Sequence, residues 1–214
     1  MPNTAQIISF YDALITQLAT ENGRHKRVYQ SLDTLPRGKV LDIGCGAGLT
    51  SKHLADGGRD VVAVDFSPVA NEYSTRYNNS DRIRYFCSNI LNFKIDERFD
   101  AICLVDVYEH LPKDGWKIIA LIKTVSSEDT IIYLNIPYDK TINYLKINFP
   151  KVLQPIDEPK DIYNILNLFE YIGFIPFKME LYWMQYMEYF FCTKKKFNLF
   201  MDRTYQSLRR NENG

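Results

Sequence analysis

The sequence predicts an α/β fold built on a largely parallel sheet, and three observations carry that reading. From residue 39 onward, short apolar and β-branched runs alternate with segments of helical periodicity. Such alternation marks strand–helix–strand units whose sheet is covered on both faces. The first run, Lys39 to Ile43, feeds straight into a glycine-rich turn, Gly44-Cys45-Gly46-Ala47-Gly48. The rhythm then holds until Pro137, after which three prolines fall between residues 138 and 160.

Taken in order, Ile7, Ile8, Tyr11, Leu14, Ile15 and Leu18 recur at helical spacing over residues 4–20 and define one apolar face. A second helix is expected over 24–32, and Pro36-Arg37-Gly38 punctuates the chain before the first strand. Residues 49–56 read as helix and 60–65 as a strand. Ser67 can cap, and Pro68 suits the first position, of a helix running to about Tyr77. Residues 83–87 and 99–105 read as strands, 115–125 as helix and 130–135 as strand. Helix resumes over about 161–171, Gly173 stops it, and two strands follow near 174–181 and 186–193. Pro176 marks the first of these as an edge strand. The expected organisation is one domain: an N-terminal helical cap (1–35), a core (36–136), a lid or insertion (137–160), a helix with antiparallel strands (161–193) and a polar, partly helical tail (194–214).

Composition narrows the function. A chain of 214 residues buries roughly 70% of its unfolded surface and needs neither disulfides nor metal to fold. Lys plus Arg and Asp plus Glu are 26 each, so the broad positive field that draws in nucleic acid or anionic membranes is missing. Cys45, Cys87, Cys103 and Cys192 form no CxxC and sit in or beside apolar runs, as small buried hydrophobes do in a reducing compartment. The N-terminal segment lacks a basic leader region, and no run approaches the ~18 apolar residues of a membrane span. The expectation is a soluble, cytoplasmic protein.

The informative stretch is Val40-Leu41-Asp42-Ile43-Gly44-Cys45-Gly46-Ala47-Gly48. A dinucleotide fold would want G-x-G-x-x-G, but the position of its third glycine is Leu49. The G-x-G-x-G spacing, with Asp42 two residues before the first glycine, resembles motif I of the class I S-adenosylmethionine-dependent methyltransferases. Further features fall in order: Asp65 closes the second strand 21 residues after Gly44, Phe66 follows it, Asn89-Ile90 follows the third strand, and Val105-Asp106-Val107-Tyr108-Glu109-His110-Leu111 follows the fourth. The last segment resembles the D-x-x-E-H-L of many small-molecule methyltransferases. The resemblance covers about residues 38–193. It implies a Rossmann-like, seven-stranded, mostly parallel sheet with an antiparallel final strand.

The resemblance also implies a binding site for S-adenosyl-L-methionine, with S-adenosyl-L-homocysteine as product. Gly44, Cys45, Gly46 and Gly48 would pack on the methionine part, Asp65 would accept from the ribose hydroxyls, and Phe66 and Ile90 would cover the adenine. Asn89 stands where the family often has an acid and could pair with the adenine amino group. Val105 ends the strand beside the site. Asp42 could touch the cofactor or tie the glycine loop. Tyr11 could close over the cofactor or simply pack. Arg24, His25 or Arg27 could meet the cofactor carboxylate or form a solvated run. Asn135-Ile136-Pro137-Tyr138 is similar to the N-P-P-Y loop of amino-group methyltransferases, but it follows the fifth strand rather than the fourth and reads as a strand-ending turn.

For chemistry, His110 is the candidate general base, since imidazole titrates near neutrality and a neutral alcohol is a poor nucleophile. Glu109 could orient it. The rival reading has His110 binding cofactor or packing, with catalysis by proximity alone. No metal site is expected. The 138–160 segment with Tyr182, Trp183 and Tyr186 would form an aromatic pocket for a small organic acceptor, and O-methylation is favoured over N-methylation. The aromatic final strands could instead be a homodimer face. Two alternatives stay open: an RNA or protein methyltransferase using the basic residues at 194–196, 203, 209 and 210, and a catalytically silent binding module.

Overall fold

The computed structural model describes residues 4–111, 116–154 and 156–212. Gly115 lies outside them, and the side chains of Leu18, Arg209 and Arg210 are likewise outside the described set. Two helices, α1 (Thr4–Leu18) and α2 (Gly23–Leu32), precede the sheet. Then β1 (Lys39–Ile43), α3 (Leu49–Asp56), β2 (Asp60–Asp65), α4 (Pro68–Tyr77), β3 (Ile83–Cys87) and β4 (Phe99–Val105) alternate. A 3-10 turn at Tyr108–His110 leads to α5 (Lys117–Val125) and β5 (Ser126–Pro137). The chain continues through α6 (Asp139–Asn148), a 3-10 turn at Pro150–Val152, α7 (Ile162–Tyr171), β6 (Phe174–Tyr182), β7 (Tyr186–Thr193) and α8 (Lys194–Glu212).

The strands form one seven-stranded sheet in the order β3-β2-β1-β4-β5-β7-β6. β7 runs antiparallel to both of its neighbours, and the remaining pairs are parallel. Alternation along each strand divides the core between the two faces. Leu41, Ile43, Val62, Val64, Ile102 and Leu104 pack with the α5 and α7 residues Ile118, Ile122 and Phe169. Val40, Val61, Ala63, Ala101 and Cys103 face the other way, toward Val28 and Leu32 of α2 and Leu54 of α3. Cys45, Cys103 and Cys192 are buried, as expected of small core residues, while Cys87 is exposed.

Several elements differ from the sequence reading for identifiable reasons. α2 begins one residue early because Asn22 caps it: its side chain accepts from the backbone N–H of Arg24 and His25, and His25 Nδ1 accepts from Asn22 N–H at 3.2 Å. β5 starts four residues earlier than its apolar run, since the exposed stretch Ser127 to Asp129 still follows the strand path while Thr130 donates to the Phe99 carbonyl at 2.6 Å. Residues 138–160 contain a ten-residue helix rather than only irregular chain. Ile142 buries on its inner side, and Pro150 opens the 3-10 turn that follows. Pro176 does lie on the edge strand β6, beside a register shift between Pro176 and Lys178.

A buried carboxylate fastens the cap to the sheet. Glu188 of β7 is fully buried and accepts from Ser31 at 2.7 Å, Arg27 at 3.0 Å, Lys178 at 2.9 Å and Tyr133 at 3.2 Å. A charge removed from water in this way is tolerable because each lone pair finds a donor. α2 is thereby held over β5, β6 and β7.

Candidate active site

The carboxyl ends of β1, β2 and β4 meet at one edge of the sheet, where open α/β sheets place their ligands. The glycine turn follows β1. Gly44 has φ +71°, and a Cβ there would come within 2.3 Å of Val107. Gly48 opens α3 in the left-handed region at φ +82°, against Tyr85 and Ser74. Gly46 faces open space: a Cβ on it would meet nothing within 4 Å among the described residues. The turn is tied down by Gly44 and Cys45 N–H groups donating to the Val64 carbonyl, at 2.7 and 3.2 Å.

Two carboxylates organise this turn. Asp42 is 1% exposed and accepts from Ser51 Oγ at 2.6 Å, so it links β1 to α3. Burial pushes its carboxyl up to about 7, with the Ser51 hydroxyl working against the shift. Asp65 accepts from Gly46 N–H at 2.9 Å through one oxygen and from Ser67 N–H at 2.9 Å through the other. Burial raises its proton affinity, and these N–H groups oppose the rise. Cys45, deep in the turn, has a thiol pushed well up by burial, which marks filler rather than nucleophile.

The far wall comes from the β4 end. Glu109 is 2% exposed, and among the described residues neither of its oxygens has a hydrogen-bond partner. Burial lifts it to about 8, with His110 lowering and Asp106 raising it. His110 Nε2 lies 3.8 Å from Glu109 Oε1, and its Nδ1 lies 3.2 Å from Asp157 Oδ1. Burial disfavours the imidazolium, but Asp157 and Glu109 outweigh it and raise the proton affinity of His110. Tyr11 of α1 bridges the two walls. Its ring sits 5.9 Å from Phe66 and 5.6 Å from His110, both edge-on. Its buried hydroxyl has no hydrogen-bond partner among the described residues, and burial with Asp157, Glu109 and Asp65 nearby raises its pKa. Asp12 of α1 accepts from Ser67 Oγ and so holds the helix over β2.

The other residues singled out by sequence take varied positions. Ile90 is half-buried and packs on the core. Asn89 is exposed, and its Oδ1 accepts from Leu91 N–H at 2.9 Å. Val105 ends β4 opposite Asn135 in the ladder with β5. Arg24 and Arg27 are engaged by protein carboxylates: Arg24 pairs with Asp106 and donates to Asn135 at 2.6 Å, and Arg27 pairs with Glu180 and Glu188. Arg24 also lies 4.1 Å over the Tyr186 ring. Asn135 is fully buried and donates to Tyr182 Oη at 2.9 Å. Asp157 and Asp12 were not found from sequence. Asp157 lies 47 residues after His110 in a proline-broken segment, and no local pattern marks it.

The donor set suits S-adenosyl-L-methionine. Gly46 leaves an open cradle beside a buried carboxylate, and among the described residues the Tyr11 hydroxyl and Glu109 carboxyl are buried polar groups without hydrogen-bond partners, which a polar ligand would satisfy. Among the described residues, no group of three His, Cys, Asp or Glu side chains could hold a metal ion, and no helix is long and apolar enough to cross a membrane.

Comparison with known proteins agrees with this geometry. Residues 40–128 match a family model described as a methyltransferase domain. A curated relative, the mitochondrial ubiquinone biosynthesis O-methyltransferase of Schizosaccharomyces pombe, is 35% identical over 83 residues. That stretch is 36% of this chain and 30% of the relative. The DhpI–SAH complex superposes with a TM-score of 0.68 at 14% identity, covering 87% of this chain and 95% of that one. The N-methyltransferase NodS from Bradyrhizobium japonicum WM9, in complex with S-adenosyl-L-homocysteine, gives 0.66 at 16% identity, covering 86% and 98%. Residues 40–128 thus match a methyltransferase domain, and the chain shares the fold of these solved methyltransferases.

Proposed function

We propose that the chain is an S-adenosylmethionine-dependent methyltransferase acting on a hydroxyl of a small organic acceptor in a biosynthetic pathway. One observation carries the reading: Tyr11 contacts Phe66 on one side and His110 on the other, which brings the glycine-turn wall and a titratable group under one cover. The curated relatives named as O-methyltransferases support oxygen as the methylated atom.

S-adenosyl-L-methionine, when bound, supplies a methyl group already activated on a sulfonium. Gly44, Cys45, Gly46 and Gly48 would hold its amino-acid part, Asp65 its ribose, and Phe66, Asn89 and Ile90 its base, with Val105 at the end of β4 beside them. Asp42 braces the turn beneath it, and Tyr11 covers it. The chain then has two tasks. It must fix the acceptor oxygen in line with the methyl group in a site that excludes water. It must also take the hydroxyl proton, the role proposed for His110, which lies 3.8 Å from Glu109.

The acceptor side would be aromatic: Trp183 is exposed and Tyr186 half-buried, with Tyr182 buried behind them and stacked on Tyr186 at 5.5 Å. With the neutral charge balance this favours a small molecule over nucleic acid. The same reading places the enzyme in the cytoplasm. The edge strand β6 leaves Phe177, Met179 and Leu181 exposed, a surface on which a second copy could pair. The test is transfer of a labelled methyl group to a panel of phenols, sugars and hydroxy acids, run beside matched amines, RNA and peptides. O-methylated small molecules are expected. Labelling confined to amines, RNA or peptides would contradict the proposal.

A further inference from the structure

We propose that Asp157 is a positioning residue for His110, delivered by the segment between α6 and α7. The inference rests on the reading in which His110 accepts the acceptor proton. Asp157 Oδ1 lies 3.2 Å from His110 Nδ1, and the two side chains are 9% and 14% exposed. The other Asp157 oxygen accepts from Gln154 N–H at 2.8 Å, which fixes the carboxylate in its own turn. The neighbouring residues clamp the same 3-10 turn. Glu158 N–H donates to the Glu109 carbonyl at 3.3 Å, and Lys160 Nζ donates to the Leu111 carbonyl at 3.3 Å while lying 5.6 Å from the Tyr108 ring. Residues 157, 158 and 160 thus all grip 108–111.

The consequence is chemical. The two atoms sit at ion-pair distance without hydrogen-bond alignment, and a small turn of the ring would complete the bond. A carboxylate beside Nδ1 favours the proton on that nitrogen, leaves the Nε2 lone pair free, and stabilises the imidazolium once it forms. Nε2 is then the nitrogen that faces Glu109 Oε1, at 3.8 Å. That separation is too long for a hydrogen bond between them. A hydroxyl oxygen about 2.8 Å from each closes a triangle on that base. Among the described residues neither buried Glu109 oxygen has a hydrogen-bond partner, so the protonated carboxyl that burial favours can donate to that oxygen while Nε2 takes the hydroxyl proton. Among the described residues, the charged or titratable groups around His110 are Glu109 and Asp106 on its own connection, Asp157 from the facing segment and Tyr11 from α1.

The experiment is Asp157→Asn in the full chain. Asn keeps an oxygen for Gln154 N–H and removes the charge. The chain has three histidines, so the His110 ring resonance is assigned by single substitution and titrated by NMR. Its midpoint should fall by about half a unit or more in Asp157→Asn. It should stay near the wild-type value in Asp157→Glu. In turnover, Asp157→Asn should lower kcat by roughly tenfold or more, with the KM for S-adenosylmethionine within about twofold, and Asp157→Glu should recover part of the loss. An unmoved midpoint in Asp157→Asn, or a kcat within about twofold of wild type, would overturn the proposal. If wild type methylates no hydroxyl acceptor, the functional reading fails on its own, and the titration still decides whether Asp157 sets His110.

Discussion

Gly46 donates its backbone N–H to Asp65 Oδ2 at 2.9 Å, and this joins the turn after β1 to the end of β2. The bond orients the carboxylate across the mouth of the sheet while its second oxygen takes the Ser67 N–H. Asp65 is therefore both the brace of the glycine turn and the acidic group nearest the open space above Gly46. Each remaining lone pair is available to a hydroxyl, and a bond to an ionised acceptor is worth about 1.5–3 kcal/mol.

The glycines of this turn should separate by substitution. Gly48→Ala puts a Cβ 2.6 Å from Tyr85 Oη and 2.8 Å from Ser74 Cβ, at a φ of +82°. Tyr85 cannot swing freely, because its hydroxyl donates to the Asn78 carbonyl at 2.9 Å. The expected loss is about 2–4 kcal/mol by urea denaturation. Gly46→Ala meets no neighbour among the described residues, so only the left-handed backbone at φ +50° opposes it and it should cost about 1 kcal/mol. It should instead weaken S-adenosylhomocysteine binding tenfold or more, because its methyl group fills the cradle. Equal stability losses in the two variants would refute this division.

His110→Ala should cut turnover by roughly 10²- to 10⁴-fold if the imidazole takes the acceptor proton. Affinity for S-adenosylhomocysteine should stay within about twofold. A turnover loss below tenfold would remove His110 from the role of base and leave catalysis to positioning.

Asp42 gives stability a pH dependence of definite sign. Its carboxyl titrates at about 7 when folded, above its ordinary value of 3.8, so the folded protein holds a proton that the unfolded chain has released. The stabilisation from this proton is complete below about pH 4 and is lost as pH rises toward 7. Asp42→Asn keeps an oxygen for Ser51 and cannot titrate. Urea midpoints measured from pH 5 to 8 should fall more for wild type than for Asp42→Asn. Parallel curves would contradict the assignment.

Much of the frame could be read from the sequence because its signals are local. β-branched runs, the glycine turn, and Ser67-Pro68 at a helix start each act within a few residues, and β2, β3, β4 and α4 fall where those runs end. The interior of the site was less legible because it is made by pairs far apart in the chain. Arg24 meets Asp106 across 82 residues. That contact also explains why Arg24, read as solvated or cofactor-facing, is largely buried. Asp106 holds φ +53°, a conformation that nothing in its own sequence demands. Asp157 reaches His110 only because α6, which buries Ile142 and ends at Asn148 ahead of the Pro150 turn, brings the chain back over the sheet edge.

The central claim is most directly tested by calorimetric titration of S-adenosylhomocysteine into wild type and Asp65→Ala. Micromolar binding by wild type, weakened roughly tenfold or more in the variant, is the expected result. Absence of binding to wild type, or equal affinity in both proteins, would contradict the assignment of this site.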